Sequence, residues 1–322
     1  MYKVSEYLNN PGLFWVSLAN HGFFNWMSDE QYLKIKYRIL TGKKLNLDNP
    51  QTFNEKIQWL KIHDRNPQHT TLVDKHAVKK YVADIIGDKY IIPTLGVWNH
   101  FDEIDFDELP DQFVLKCTHD SGGIVIVRDK AKFDKSQAKA KLEKCLRNNY
   151  YYFHREWPYK NVKPRIIAEK YMEEKGRVVP EDYKIYCMNG DPKYIVCFHN
   201  RFDDSRPNSE TVYDVNWVPQ HISLDDHFLI SDEVSEKPEC LDELLNIAKK
   251  LCEEHTQVRL DFYIIDNTIY FGEITLSTAS GFQPMIPEEM DRILGEELEL
   301  PEDKLGGERP DRAVCLVGGN PT

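Results

Sequence analysis

The stretch QVRLDFYIIDNTIYFGEIT, residues 257–275, holds two apolar runs on either side of Asp266 and Asn267, a pattern that predicts a β-hairpin. The length of the turn decides which side chains face each other. An odd-length turn over residues 266–268 would place Asp261 directly opposite Glu273, whereas a two-residue turn would put the two carboxylates on opposite faces of the sheet. We expect the odd-length turn and therefore a facing pair of carboxylates.

Two carboxylates that face each other repel, so a positive group should lie between them. Magnesium is one choice, because hard divalent cations take carboxylate oxygens as ligands and keep waters or phosphates in their other positions. Arg259 lies two residues before Asp261 and therefore shares its face of the strand. The alternative is a pair of solvated carboxylates with Arg259 as a surface counter-ion. The hairpin alone leaves both interpretations open.

A second hairpin is predicted by FVLKCTHDSGGIVIV, residues 113–127. Lys116 lies on an otherwise apolar strand, and since an unpaired ammonium group is costly to bury, it must reach water or an anion. Ser121, Gly122 and Gly123 allow backbone N–H groups to approach a phosphate closely. Lysine and glycines together favour a polyphosphate ligand, although the same tripeptide is common in plain hairpin turns. Neither GxxxxGK[ST] nor GxGxxG occurs in the chain.

The composition restricts the kind of partner. In 322 residues, 53 Asp and Glu outnumber 41 Lys and Arg, and the net charge is −12. General nucleic-acid binding needs the opposite balance, so we expect no nucleic-acid partner. The seven cysteines are odd in number and lack CxxC or zinc-type spacing, which favours reduced thiols in a cytoplasmic protein. The sequence does not indicate an oligomeric state.

No apolar run reaches the length of a membrane span, about 20 residues. The nearest candidate is the aromatic stretch PGLFWVSLANHGFFNWM, residues 11–27, in which Ser, Asn and His favour a packed pair of helices. We therefore expect no transmembrane segment. Peripheral association with a membrane through this stretch is the alternative.

Periodicity and turn signals divide the chain into four parts. The first is helical, the next two are α+β lobes of which the second is richer in hairpins, and the last is a loose tail. We place them at residues 1–70, 71–170, 171–300 and 301–322.

Several local features are specific enough to be checked. Thr52 and Glu55 have the spacing of a helix capping box. A later helix should stop at Gly87, followed by a short strand that ends near Pro93. One long helix is predicted over residues 136–157.

The order of these motifs resembles the ATP-grasp superfamily: VDK opening a helix, LK and SGG on a hairpin, IIAEKYM, PEDYK, and then RLDF with GEIT. The resemblance implies an α+β fold of two lobes that hold ATP between them, preceded here by a helical N-terminal region, with Mg²⁺ as the metal. Within the superfamily, three segments resemble the TupA-like branch, which is named for teichuronopeptide biosynthesis and accompanies genes for capsule and cell-wall polysaccharides. They are NPQTFNEKIQWLKIHDRNP, REWPYKNVKPRIIAEKYM and EITLSTASGFQP.

The resemblance also implies roles for individual residues. The nucleotide-binding set comprises phosphate lysines, the glycine-rich loop, the adenine-binding hinge and a ribose acid, namely Lys75, Lys116, Ser121, Gly122, Gly123, Glu169, Lys170, Tyr171, Met172, and Glu181 or Asp182. The metal set is Asp261, Glu273 and Thr275, and Thr275 stands where the family has an asparagine, whose amide oxygen is a stronger ligand than a hydroxyl. The catalytic set is Arg259, Lys116 and Lys184.

The chemistry implied by this resemblance is an ATP-dependent carboxylate–amine ligation, a carbon–nitrogen ligase reaction. A carboxylate attacks the terminal phosphate of ATP, and an amine then displaces phosphate from the acyl phosphate. The substrates would be small-molecule or saccharide carboxylates and amines, and the product a modified capsular or cell-surface polysaccharide or its precursor. Ser280 and Gly281 are candidates for lining the site of the donor carboxylate, and the aromatic residues at 150–159 either stack on a sugar or pack a helix end.

Three other readings compete with ligation. A nucleotide-sugar glycosyltransferase would use Asp105 and Asp107 as a DxD metal motif. A kinase-like phosphotransferase would use residues 261–263 in place of DFG, but the chain lacks HRD. A scaffold without catalytic activity would explain Thr275.

Overall fold

Two β-sheets follow each other along the chain in the computed structural model, which describes residues 4–173, 182–199, 207–225, 228–231 and 233–301. The α-helices in these ranges are α1 Val4–Asn9, α2 Gly12–Asn20, α3 Asp29–Thr41, α4 Phe53–His63, α5 Gln68–Val73, α6 Ala77–Ile86, α7 Lys135–Leu146, α8 Tyr151–His154, α9 Leu241–Cys252 and α10 Met290–Glu297. The strands are β1 Thr94–Trp98, β2 Phe113–Cys117, β3 Ile124–Val127, β4 Ile166–Lys170, β5 Asp182–Met188, β6 Asp191–His199, β7 Ser209–Asp214, β8 Pro219–Gln220, β9 Leu229–Ile230, β10 Gln257–Ile265 and β11 Thr268–Thr275. The predicted α+β class is confirmed.

The small sheet has the order β1-β4-β2-β3 and is antiparallel throughout. Its outer face packs against α7 through a buried cluster that includes Phe113, Leu115, Ile166, Ala168 and Leu142. Because side chains alternate along a strand, Lys116 and Glu169 point to the other face. That face is turned towards the large sheet.

The large sheet has the order β11-β10-β5-β6-β7-β8, with β9 paired in parallel to β7. One face is covered by α6 and α9, and buried side chains such as Val82, Leu244 and Leu260 fill this layer. The opposite face is covered over part of its area by α3, α4 and α10, through residues such as Tyr37 and Ile57. The uncovered part of that face carries the charged residues of β5, β10 and β11.

The N-terminal helices form as their sequence predicts. The Thr52 hydroxyl accepts a hydrogen bond from the Glu55 N–H, and the Glu55 carboxylate accepts one from the Thr52 N–H, so the capping box is present. Helix α6 ends at Gly87, also as predicted. No described helix combines the length and the apolar character that a bilayer span requires.

Two of the predicted elements are wrong in detail. The strand expected before Pro93 lies after it, as β1, and the Pro93 carbonyl accepts a hydrogen bond from Lys170. The long helix over residues 136–157 is divided into α7 and α8. The division follows from Asn149, whose side-chain oxygen accepts the Tyr151 N–H, since local asparagine bonds of this kind compete with helical ones. Strands β7, β8 and β9 were not predicted.

The turn of the 257–275 hairpin differs from the expected one, yet the expected pairing forms. Asp266 and Asn267 make a two-residue turn, and both have the positive φ angles, 47° and 60°, that such a turn requires. A β-bulge at Gly272 then shifts the register by one residue. Asp261 is therefore the direct partner of Glu273. The predicted odd-length turn is wrong, but the bulge compensates for the shorter turn and produces the predicted pairing of Asp261 with Glu273.

Gly272→Ala should lower the free energy of unfolding by about 1–3 kcal/mol, because an added Cβ would lie 2.9 Å from the Asp261 carbonyl oxygen, a backbone atom with little freedom to move. Urea unfolding measures this change. Gly122→Ala is the matched control, since its Cβ would have no atom within 4 Å. Equal stability of the two variants would show that the bulge accommodates a side chain.

Candidate active site

The site begins with the facing carboxylates on β10 and β11. Asp261 is buried, and its oxygens accept hydrogen bonds from Arg259 Nε at 2.7 Å and Nη2 at 2.8 Å. The same Nη2 lies 3.3 Å from the Glu273 carboxylate. The positive group expected between the two acids is therefore Arg259 in this structure. Asp261 is buried and the Arg259 side chain is only 13% exposed, so Arg259 is not a surface counter-ion.

Lys184 joins this cluster from the neighbouring strand β5. Its Nζ donates to Asp261 Oδ2 at 2.8 Å and lies 3.5 Å from Asp182. Burial alone would raise the pKa of Asp261, but the charges of Arg259 and Lys184 outweigh burial and lower it to about 2. Asp261 is therefore a carboxylate at every ordinary pH.

Lys75 lies between the two sheets. Its Nζ donates to the Asp120 carbonyl at 2.6 Å, in the glycine-rich hairpin of the small sheet, and lies 3.7 Å from Glu273 on the large sheet. Its backbone N–H donates to the Thr118 carbonyl at 3.0 Å. The predicted convergence of Lys75 with the acidic pair is thus present in the geometry.

Glu169 is buried between two lysines. One carboxylate oxygen lies 2.7 Å from Lys116 Nζ and the other 2.5 Å from Lys79 Nζ. Burial opposes ionisation of Glu169, but the two lysines lower its pKa below the ordinary value. Lys116 also lies near Tyr263 and Glu273, which contribute to raising its pKa after Glu169. Lys116, the lysine on the otherwise apolar strand β2, therefore has an anionic partner within the protein.

The glycine-rich turn is held at its base and exposed at its tip. Asp120 Oδ1 accepts the Gly123 N–H at 3.0 Å, and the Gly123 carbonyl accepts the Cys117 N–H at 2.8 Å. Ser121 and Gly122 are exposed, and the Ser121 side chain hydrogen-bonds Tyr150. The exposed tip has space for a ligand, since a Cβ at Gly122 would contact nothing.

The remaining predicted nucleotide residues follow β4 and precede β5. Strand alternation turns the Lys170 side chain to the outer face, away from Glu169, where it and Tyr171 line a cavity of about 840 Å³ with Arg128. The Lys170 backbone N–H donates to the Pro93 carbonyl at 3.0 Å. Met172 is half-buried and Asp182 lies beside Lys184, whereas Glu181 falls outside the described residues.

The metal set can be compared with the donor atoms present. Asp261 and Glu273 offer hard carboxylate oxygens on one face, and Thr275 pairs with Arg259 on the same face. The two carboxylates already hold one cationic group between them, so the oxygen set fits a divalent cation such as Mg²⁺. Arg259 would then have to give up part of its contact with the acids.

The loop after β11 is strained and held from several sides. Ala279 and Ser280 have positive φ angles of 44° and 55° within Thr278–Gly281. Gln58 and Lys61 of α4 donate to the Ser280 carbonyl at 3.0 and 2.9 Å. The Ser280 hydroxyl donates to Glu156 Oε1 at 2.5 Å. The hydroxyl of Ser280, a candidate for lining the donor-carboxylate site, is therefore already hydrogen-bonded to Glu156.

Four residues that sequence reasoning missed lie at or beside the site. Lys79 follows Lys75 by four residues, the spacing of one α-helical turn, although Lys75 itself lies just before α6. Tyr263 follows Asp261 by two residues and shares its face. Glu156 and Lys61 gave no local signal, because each is distant from the site in sequence. The DxD candidate forms an exposed turn, in which Asp105 Oδ1 accepts the Asp107 N–H.

Two β-sheets face each other across a cleft, with Lys116 and Glu169 on the small sheet and the Arg259, Asp261 and Glu273 cluster on the large one. Residues 55–299 match the TupA-like ATP-grasp family, and the chain belongs to that family. The resemblance stated from the sequence motifs is thereby confirmed. None of the curated proteins compared with the chain matched it.

Solved structures with a similar fold include ligases. D-alanine–D-alanine ligase from Bacillus anthracis complexed with ATP is 20% identical, with 64% of this chain and 56% of that chain covered and a TM-score of 0.38. L-amino acid ligase from Bacillus licheniformis is 12% identical, with 88% and 65% covered and a TM-score of 0.47. D-Alanine-D-alanine ligase from Helicobacter pylori is 13% identical, with 78% and 68% covered and a TM-score of 0.41. The chain spans little more than half the length of the Bacillus anthracis ligase.

The stability gap between the wild-type protein and Asp261→Asn should close as the pH falls. The pKa of Asp261 is lowered from 3.8 to about 2, so its stabilising contribution is present above the unfolded value and is lost as pH falls through the folded one. We expect a gap of at least about 2 kcal/mol near neutral pH and little difference near pH ~2. Urea unfolding at a series of pH values measures it.

Asp102→Asn is the control for this series. Asp102 forms an exposed ion pair with Lys139, which should contribute little at any pH. A gap for Asp261→Asn that stays constant down to pH ~2 would contradict the assignment of the low pKa to this carboxylate.

Proposed function

We propose that this protein is an ATP-dependent carboxylate–amine ligase that forms an acyl phosphate and then an amide. As part of the same proposal, the amide-linked group is added to a capsular or cell-surface polysaccharide or its precursor. Membership of the TupA-like ATP-grasp family supports the reaction class. The assignment of a polysaccharide substrate rests only on the resemblance to the TupA-like branch.

The observation that carries the proposal is the position of Lys75. One ammonium group contacts the base of the glycine-rich hairpin at 2.6 Å and lies 3.7 Å from Glu273 on the other sheet. A triphosphate placed along that line would meet backbone N–H groups at one end and the carboxylate pair at the other. Phosphoryl transfer depends mainly on such positioning and on cations near the transferring oxygens.

The roles proposed within the cleft are those that the family resemblance implies for each group. Lys75 and Lys116 would bind phosphates, with the tip at residues 121–123 closing over them. Glu169, with the backbone of residues 170–172, would meet the adenine, and Asp182 the ribose. Arg259 and Lys184, both held by Asp261, would stabilise the negative charge that develops on the phosphoryl and acyl oxygens.

Magnesium, when bound, would supply Lewis-acid neutralisation of the phosphates at Asp261 and Glu273, with Thr275 beside them. The chain's own contribution is to hold these acids ionised. Arg259 and Lys184 keep the pKa of Asp261 low, so a proton does not compete for its oxygens. Arg259 also contacts both carboxylates through the same nitrogen, Nη2.

The substrate end of the cleft is formed by aromatic and acidic residues. Tyr150 and Tyr159 pack edge to face at 4.8 Å, and both lie near Glu273. Glu156 lies near Arg259. Burial of its carboxyl raises its pKa above the ordinary value. These rings offer stacking faces to a sugar, which supports a saccharide substrate. Six described cysteines are free thiols, which supports a cytoplasmic site of action.

Lys116→Met and Glu273→Gln should each lower acceptor-dependent ADP formation by at least about a hundredfold, because each removes a charge that faces the triphosphate. The assay contains Mg-ATP, candidate uronic or amino acids and amines, and follows ADP and phosphate. Lys80→Met is the control, since Lys80 is exposed on α6 and pairs only with Asp84 among the described residues. It should retain wild-type rates.

Three results separate the competing functions. Acceptor-dependent release of both ADP and phosphate supports ligation. Thermal stabilisation by UDP-sugars, but not by ADP with magnesium, would support the glycosyltransferase. Indifference to all nucleotides would support the scaffold, and full activity of both variants would show that the site is misplaced.

A further inference from the structure

The N-terminal helices expose an unusual set of side chains. The four most exposed large apolar residues in the described part of the chain all lie near its start: Trp26 at 79%, Leu8 at 78%, and Phe14 and Phe23 at 63%. Ile35 on α3 is exposed as well. An apolar concentration of this kind marks an interaction surface rather than ordinary scatter.

This exposure does not come from a loosely attached segment. Trp15 stacks on Phe24 at 4.8 Å, and the Phe24 carbonyl accepts a hydrogen bond from the buried guanidinium of Arg155 at 2.8 Å. That guanidinium also lies 4.2 Å from the Tyr32 ring. The start of α2 rests on α3, because Asn10 donates to the Ile39 carbonyl at 2.8 Å. The apolar side chains are therefore presented on a fixed support.

The same region is basic in an acidic protein. Residues 1–44 hold six Lys and Arg against three Asp and Glu, a net charge of +3, while the whole chain carries −12. Arg38 and Lys44 are exposed and form no ion pair with any residue the structure describes. Arg38 directly precedes the residue on which α2 rests. Two exposed cations and the exposed apolar side chains thus occur in the same N-terminal segment.

We propose that this face, defined by Leu8, Phe14, Phe23, Trp26, Arg38 and Lys44, docks the protein onto an anionic lipid bilayer surface. Aromatic and apolar side chains that alternate with Lys and Arg match the acyl boundary and the charged headgroups of such a surface. The core of a protein interface is instead depleted in lysine. The acidic remainder of the chain is repelled by anionic lipid, so charge alone orients this face towards it.

Docking would place the substrate end of the cleft close to the lipid. Arg155 ties α2 and α3 to the segment that carries Tyr150, Glu156 and Tyr159. An acceptor carried on a membrane lipid would then reach the site without leaving the bilayer. This consequence rests on the proposed function, whereas the docking itself does not.

Co-sedimentation of the full-length protein with vesicles, without nucleotide, tests the docking. Binding to vesicles that contain phosphatidylglycerol should exceed binding to phosphatidylcholine vesicles and should fall as salt is raised. Phe23→Ser combined with Trp26→Ser should weaken binding at least about tenfold. Arg38→Gln combined with Lys44→Gln should weaken it about fivefold for each charge removed. Because all four side chains are exposed, folding should be unchanged by circular dichroism.

Val218→Ser is the matched control, an exposed apolar residue between β7 and β8 whose change should leave vesicle binding unchanged. Absence of binding to phosphatidylglycerol vesicles, or equal binding to both kinds of vesicle, overturns the proposal. So does a dimer in sedimentation equilibrium that the Phe23 and Trp26 changes dissociate, because the face would then join two copies of the chain. Ligase activity is measured separately, so a failure of docking and a failure of the reaction are distinguishable.

Discussion

Two carboxylates face each other across neighbouring strands, and this arrangement is stable because a largely buried guanidinium lies against both. Asp261, Glu273 and Arg259 form that unit, and Lys184 and Lys75 complete its charge. Removing one partner of a buried ion cluster leaves an uncompensated charge, which is far more costly than replacing the whole cluster. The position of the large sheet beneath the cleft is therefore tied to the side chains that give the cleft its chemistry.

The ion pairs of the cleft determine which contacts a ligand would have to replace. Each cation discussed in the cleft already has an anionic partner: Lys75 and Arg259 share Glu273, and Lys79 and Lys116 share Glu169. A triphosphate would replace these carboxylates as the partner of the lysines. A divalent cation would replace Arg259 as the partner of the acids. Exchange of partners costs less than desolvating bare charges, because the groups are already held in place.

Much of this could be predicted from the sequence where the signal is local. Strand patterns identified Lys116 and the acidic pair, the capping box identified the start of α4, and motif order identified the family and with it Glu169. The turn at Asp266 and Asn267 shows the limit, because the length of the loop was wrong and the pairing right. The compensating bulge depends on a glycine whose close approach to the Asp261 carbonyl is visible only in three dimensions.

The parts that sequence could not provide are those made by distant segments. Gln58 and Lys61 support the strained Ser280 across more than 200 positions of chain, and Arg155 joins the N-terminal helices to the aromatic segment. Each contact depends on how helices pack on the sheet, which no local pattern encodes. These contacts also connect the N-terminal helices with the charged cleft. The segment that includes Arg155 and Glu156 contacts both the N-terminal helices and the loop after β11, so the proposed nucleotide cleft and the proposed docking face are joined through it. The physical consequence is that whatever the exposed face binds determines where the substrate end of the cleft lies.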